Sequence, residues 1–121
     1  MTDEFEFTSQ VRRDGYILVT AKGQATAGQI EDMYREACRL AESQGVDKLL
    51  VDLVCANLTY PMAHFLPLMQ RLSPLLQSRK TARLIGGDSF RHDLIETVSQ
   101  KSSVSLKNFD ERDQALQWLL S

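Results

Sequence analysis

Cysteine is scarce: Cys38 and Cys55 are the only two among 121 residues. They form neither a CxxC pair nor a dense framework, which excludes a disulfide scaffold and leaves reduced thiols in a cytoplasmic protein as the expectation. Histidine is equally sparse. His64 and His92 have no Cys, Asp or Glu at ligand spacing, and there is no HExxH or Cys–His set, so no metal site is expected. An excess of positive charge is missing as well: 14 Lys and Arg against 16 Asp and Glu give a net charge of −2, and nothing electrostatic favours nucleic acid. No apolar run reaches the length of a membrane-spanning helix. The start, "MTDEFEF", is acidic where a signal peptide needs basic residues. Internal repeats, low-complexity tracts and linkers are absent. What remains is an ordinary folding composition, 43% hydrophobic and 25% charged, of a length that suits one domain with its own core.

The pattern along the chain is α/β. "EFEFTSQV" alternates with Phe5, Phe7, Ser9 and Val11 on one face, and Asp14-Gly15 supplies a hairpin turn into a second strand, Tyr16 to Ala21. Thr26 with Gln29 three residues later makes a capping box. A helix follows with Ile30, Met33, Tyr34, Ala37, Cys38 and Ala41 on one stripe, stopped by Gly45. "KLLVDLV" is a continuous apolar run, the mark of a strand buried on both faces of a parallel sheet. A helix over Met62 to Ser78 comes next, then a strand from Ala82 ending in "GG". Asp88 or Ser89 caps a helix with Phe90, Leu94, Ile95 and Val98 inward. A strand over Val104 to Phe109 places Val104, Leu106 and Asn108 on one face, and Asp110 caps a last helix packed down by Ala115, Leu116, Trp118 and Leu119. The order ββαβαβαβα predicts a mixed sheet of about five strands, an N-terminal hairpin followed by parallel strands, with four helices on its faces.

That order, together with "LLVDL" at the central strand and "NFDERDQALQWL" near the C-terminus, resembles the STAS domains and among them the SpoIIAA-like proteins, over about Tyr16 to Leu120. The resemblance implies a single small domain, over residues 1–121, used for regulation, protein contact or ligand binding without catalysis. STAS anti-sigma-factor antagonists carry a phosphorylatable serine in an Asp-Ser-Ser/Thr-Gly motif where the helix after the central strand begins. Here the matching slot reads Tyr60-Pro61-Met62-Ala63, with no serine and no glycine. Thr59 and Tyr60 are the only hydroxyls nearby, a weak phosphosite, and Thr59 reads better as a helix N-cap.

Other candidate chemistry is thin. Asp52 is the one carboxylate in the central strand, but a receiver-type phosphoacceptor needs a further acidic pair after the first strand, which is missing; it reads as a strand-end residue bonded to backbone. His64 and His92 read as helix-surface residues, and Cys55 as a buried, unreactive thiol. "GGDS", Gly86 to Ser89, reads as a tight turn and cap, with anion binding a minority option. No acid–base pair or activated nucleophile is visible, so the expectation is not an enzyme, with no cofactor.

The Met62 to Ser78 helix stands out. Met62, Phe65, Leu66, Met69, Leu72 and Leu76 form an arc that would pack on the sheet, while Leu68 and Leu75 lie on its flank and widen the apolar surface. Pro67 and Pro74 each remove a helix hydrogen bond, and Arg71, Arg79 and Lys80 add positive charge along and after the helix. An apolar helix with weakened bonding beside basic residues suggests a mobile lid over a hydrophobic small molecule or lipid that also touches a membrane surface reversibly, at the inner face. The alternative is a STAS-type regulatory module in which a protein partner or a second copy covers the same flank.

Overall fold

Asp14 and Gly15 turn the chain back on itself. Gly15 takes a φ of 92°, which a residue without Cβ adopts freely, and its N–H donates to the Arg12 carbonyl at 3.0 Å. The turn joins β1, Glu6–Arg12, to β2, Tyr16–Ala25, as an antiparallel pair. The structure, a computed structural model, describes residues 4–86 and 89–121. After the hairpin follow α1 (Ala27–Gln44), β3 (Lys48–Leu58), a 3-10 turn (Met62–His64) leading into α2 (Phe65–Leu76), β4 (Lys80–Leu84), α3 (Ser89–Lys101), β5 (Ser105–Phe109) and α4 (Arg112–Leu119). The five strands lie in the sheet in chain order, and every pair from β2 onward is parallel. The fold class read from the sequence, ββαβαβαβα with a mixed five-stranded sheet and four helices, is the fold observed.

The helices divide unequally over the sheet. Ile17, Val19, Leu49, Val51, Leu53 and Leu106 on one face pack against α1, α2 and α3 in the larger core. Tyr16, Leu50, Ala82 and Leu84 on the other face pack against Ala115 and Leu119 of α4. Leu49, Leu50 and Val51 are all fully buried, which is why β3 reads as an unbroken apolar run. Each such side chain contributes roughly 1.5–3 kcal/mol of burial.

The local signals hold where chemistry is local. Thr26 accepts from the Gln29 N–H at 3.2 Å, while the Gln29 side chain accepts from the Thr26 N–H at 2.9 Å, so the capping box is formed. Gly45 ends α1 with φ 66° and donates to the carbonyls of Ala41 and Glu42.

Elsewhere the structure departs from the sequence pattern. β2 and β3 outrun their apolar runs, because pairing resumes after an irregularity between Thr20 and Lys22 and continues from Lys22 with Cys55 to Ala25 with Leu58. That extension alternates, burying Ala25 and Ala56 in the larger core while Lys22, Gln24, Cys55 and Asn57 stay exposed. On the other side of β2 the chain requires Gly23, where φ is +93° and a Cβ would stand 2.2 Å from the Glu4 carbonyl oxygen. Phe90, expected inward, is 73% exposed. α4 is capped at Glu111 with no side-chain bond, and not by Asp110. The cap expected at Asp88 or Ser89 lies outside the described residues and side chains.

Candidate functional site

α2 buries Phe65, Leu68, Met69, Leu72 and Leu76. At about 100° per residue these five span one stripe centred near Phe65 and Leu76. Leu68 therefore belongs to the core, 1% exposed, and is no flank residue. Leu66 falls about 100° off the stripe and is 58% exposed. Met62 sits in the 3-10 turn, out of phase with α2, and is 43% exposed. Leu75 is half-buried, beside α1, where the Cys38 thiol approaches its carbonyl at 3.9 Å. Pro67 stands in the first turn, where its missing N–H costs no helix bond, so Pro74 is the one interior proline of α2. The helix is thus a better seated element than its sequence suggests.

The basic residues beside α2 are committed to partners. Arg71 pairs with Glu31 of α1 at 2.6 Å, and Glu31 also holds Arg35 at 2.9 Å. These bonds to Arg71 and then Arg35 keep the Glu31 carboxyl below the usual carboxylate range. Arg79 donates to the carbonyls of Leu75 and Cys38, and Lys80 donates to the Trp118 carbonyl while standing 4.5 Å over its ring. The expected basic strip along α2 is therefore not assembled.

Thr59 caps no helix. Its hydroxyl donates to the Ala25 carbonyl at 3.4 Å, the side chain is exposed, and the helical turn begins at Pro61 without a side-chain cap. Tyr60 is buried, and Arg91 lies 4.9 Å over its ring. Asp52 does bond backbone, accepting from the Val54 N–H at 3.1 Å, but inside β3 beside the pairing irregularity; its other oxygen pairs with Arg112 of α4 at 2.9 Å. Cys55, expected buried, is exposed, whereas Cys38 is buried and burial pushes its thiol up. His64 is exposed as expected. His92 is not a surface residue: only 4% is exposed.

His92 leads to the feature that sequence reading missed. Arg83 of β4 is 2% exposed, the largest fully buried side chain of the described residues. The strand registers set Val51, Arg83 and Asn108 side by side, so Arg83 rises from the middle of the sheet into the larger core. Its Nη1 donates to Asn108 Oδ1 at 3.2 Å and its Nη2 to His92 Nδ1 at 3.0 Å. Arginine can only donate, so Nδ1 is the acceptor and the His92 tautomer carrying its proton on Nε2 is selected. Asn108 is fixed in turn, donating from Nδ2 to the His92 carbonyl at 2.7 Å and from its backbone N–H to Glu96 at 2.6 Å. The Nε of Arg83 has no hydrogen-bond partner among the described residues, and no carboxylate there pairs with the guanidinium.

Two phenols complete the surround. Burial pushes the hydroxyls of Tyr34 and Tyr60 up, and the neighbouring Arg83 charge opposes the shift in each. Both stay protonated at neutral pH and can donate. Between this polar cluster and α2 lies a cavity of about 20 Å³, lined by Arg83 and both tyrosines and by Ile30, Leu53, Leu68, Met69 and other apolar side chains. The signal for Arg83 was its place in "TARL", inside a short strand whose neighbours are buried on both faces; its charge disguised it.

A five-stranded mixed sheet in chain order, three helices on one face and one on the other, defines the SpoIIAA-like STAS fold. Solved structures share it end to end. An anti-sigma factor antagonist from Mycobacterium paratuberculosis superposes with a TM-score of 0.67 at 15% identity, over 98% of this chain and 97% of that one. A DUF3478-family protein with a SpoIIAA-like fold from Shewanella loihica gives 0.61 at 18% identity, over 98% and 96%. The Bacillus cell fate determinant SpoIIAA in its phosphorylated form gives 0.55 at 11% identity, over 93% and 98%. No family model and no curated protein matches the sequence. No helix of the described residues is long and apolar enough to cross a membrane, and no group of three or more of their His, Cys, Asp and Glu side chains could hold a metal ion.

Proposed function

We propose that this chain is a non-enzymatic regulatory module that docks a protein partner at the rim formed by the C-terminal ends of its parallel strands. The observation that carries this reading is the apolar character of that rim. Val54 is 54% exposed on β3 beyond its pairing with β4, Met62 and Leu66 open the helix after β3, and Phe90 opens the helix after β4. Four of the six exposed large apolar side chains of the described residues gather at this end. Exposed aromatic and methionine side chains at one end of a small domain are typical contact points for a partner. The fold shared with anti-sigma factor antagonists supports a partner of that regulatory kind. Thr59 opens onto the same rim, whereas buried Tyr60 is out of a kinase's reach, so a phosphate added here would go to Thr59.

The test is co-purification from the native host with wild type and with a Leu66→Ser, Phe90→Ser double variant, after confirming that both fold. A partner retained by wild type and lost by the variant is the expected result. Equal recovery with both proteins overturns the rim reading.

A second reading is favoured by the cavity: α2 covers a site for an apolar small molecule, between Leu68, Met69 and Leu72 above and the sheet below. A membrane-facing role for α2 would run through Met62 and Leu66, since Leu68 is interior and Leu75 half-covered.

A further inference from the structure

Arg83 presents an unresolved charge. A guanidinium stays ionised at any physiological pH, and burying one without a counter-charge costs several kcal/mol. Asn108 and His92 accept two of its N–H groups, which ties β4 to β5 and α3, but both acceptors are neutral in that role. The structural interlock therefore explains Nη1 and Nη2. Among the described residues, Nε has no hydrogen-bond partner and no carboxylate meets the positive charge, although the Tyr34 hydroxyl stands near enough to interact with the guanidinium.

We propose that Arg83 is the anion-binding end of an interior site for an amphipathic carboxylate, a single carboxylate on an aliphatic chain, with the chain lying beneath α2. This inference rests on the second reading above and names the ligand class for that site. Nε and a neighbouring Nη form the paired donors that match the two oxygens of a carboxylate. Tyr34 and Tyr60 line the same cavity as Arg83, and their hydroxyls, held protonated by burial, supply further donors. The remaining lining is aliphatic, with Ile30, Leu53, Leu68, Met69 and Leu72 among it, so an apolar tail fits where a polyanion would not. One buried cation balances one negative charge and leaves a phosphate dianion undercompensated.

The cavity of about 20 Å³ accommodates a head group or a water, and no chain. The tail is admitted when α2 moves outward from the sheet. That movement opens the apolar packing of Leu68, Met69 and Leu72 and stretches the Arg71–Glu31 pair to α1, whose side chains are 46% and 18% exposed.

The test compares sodium decanoate with 1-decanol and with sodium acetate, all below the micellar range, using thermal shift and carboxyl-labelled decanoate in carbon-13 NMR. Decanoate is expected to bind roughly tenfold more tightly than decanol, an ion-pair-sized margin. Acetate should give no comparable stabilisation, and Arg83→Met should erase the preference for decanoate. The labelled carboxyl, once bound, should titrate at a lower pH than free decanoate, because Arg83 favours its charged form. That readout needs no variant and decides the matter even if Arg83→Met fails to fold. Equal binding of decanoate and decanol, or a bound carboxyl that titrates at or above the free value, overturns the Arg83 assignment and leaves the apolar cavity standing. Acetate stabilising as much as decanoate overturns the chain, and no binding by any probe overturns the proposal and the second reading together.

Discussion

The seating of α2 is tested most directly by truncating two leucines two positions apart. Leu68 is 1% exposed and packs in the larger core, while Leu66 is 58% exposed on the opposite side of the stripe. Leu→Ala at a fully buried site removes the transfer energy of the side chain and leaves a void, at a cost of about 2.7–5 kcal/mol. Leu68 already borders a cavity of about 20 Å³. Leu68→Ala enlarges an existing space that has not collapsed, and about 3 kcal/mol is expected. Leu66→Ala removes contacts that are mostly with water and should cost no more than about 0.5 kcal/mol. For a urea m-value of about 1.5–2 kcal/mol/M, the Leu68→Ala midpoint drops by about 1.5–2 M and the Leu66→Ala midpoint barely moves. Equilibrium urea unfolding followed by circular dichroism measures both. Equal losses at the two positions, or a Leu68→Ala loss below about 1 kcal/mol, would refute the packing of α2 described above.

Three further outcomes follow from local geometry. Thr26→Ala breaks the capping box of α1 and should lower stability by about 1 kcal/mol in the same urea assay, with Thr26→Ser retaining most of it. In native protein, iodoacetamide should add to exposed Cys55 alone, and intact mass should reveal the Cys38 adduct only after denaturation. Glu31, held below the usual carboxylate range by Arg71 and Arg35, contributes stability that is complete above the carboxylate's unfolded value near 4 and is lost as pH falls through its lower folded value. Glu31→Gln should therefore flatten the acid limb of a stability-versus-pH curve and leave its slope above pH 6 unchanged.

The fold was legible because its signals are short-range and repeated. The Asp14-Gly15 turn, the Thr26–Gln29 cap, the Gly45 stop and the unbroken apolar run of β3 each depend on neighbours within a few residues, and each reappears in the structure. The Gly23 requirement was not legible, because the atom it avoids belongs to Glu4 on a chain segment brought alongside by the hairpin.

The candidate site divides along the same line. Periodicity alone announced that α2 has an apolar stripe, and the slot after β3 alone announced that the antagonist serine is missing. Which leucine faces inward depended on the phase at which the 3-10 turn hands over to α2, a property of the whole lead-in. Burial of Arg83 and His92 depended on three successive elements, β4, α3 and β5, closing over one strand register beneath the larger core. Residue type argues for exposure at both positions, and only tertiary packing can overrule it. The order of elements, the hairpin turn and both ends of α1 were written in the sequence, since backbone chemistry and side-chain spacing are local. The tertiary structure decided where charge is buried, since desolvation depends on everything that surrounds a group.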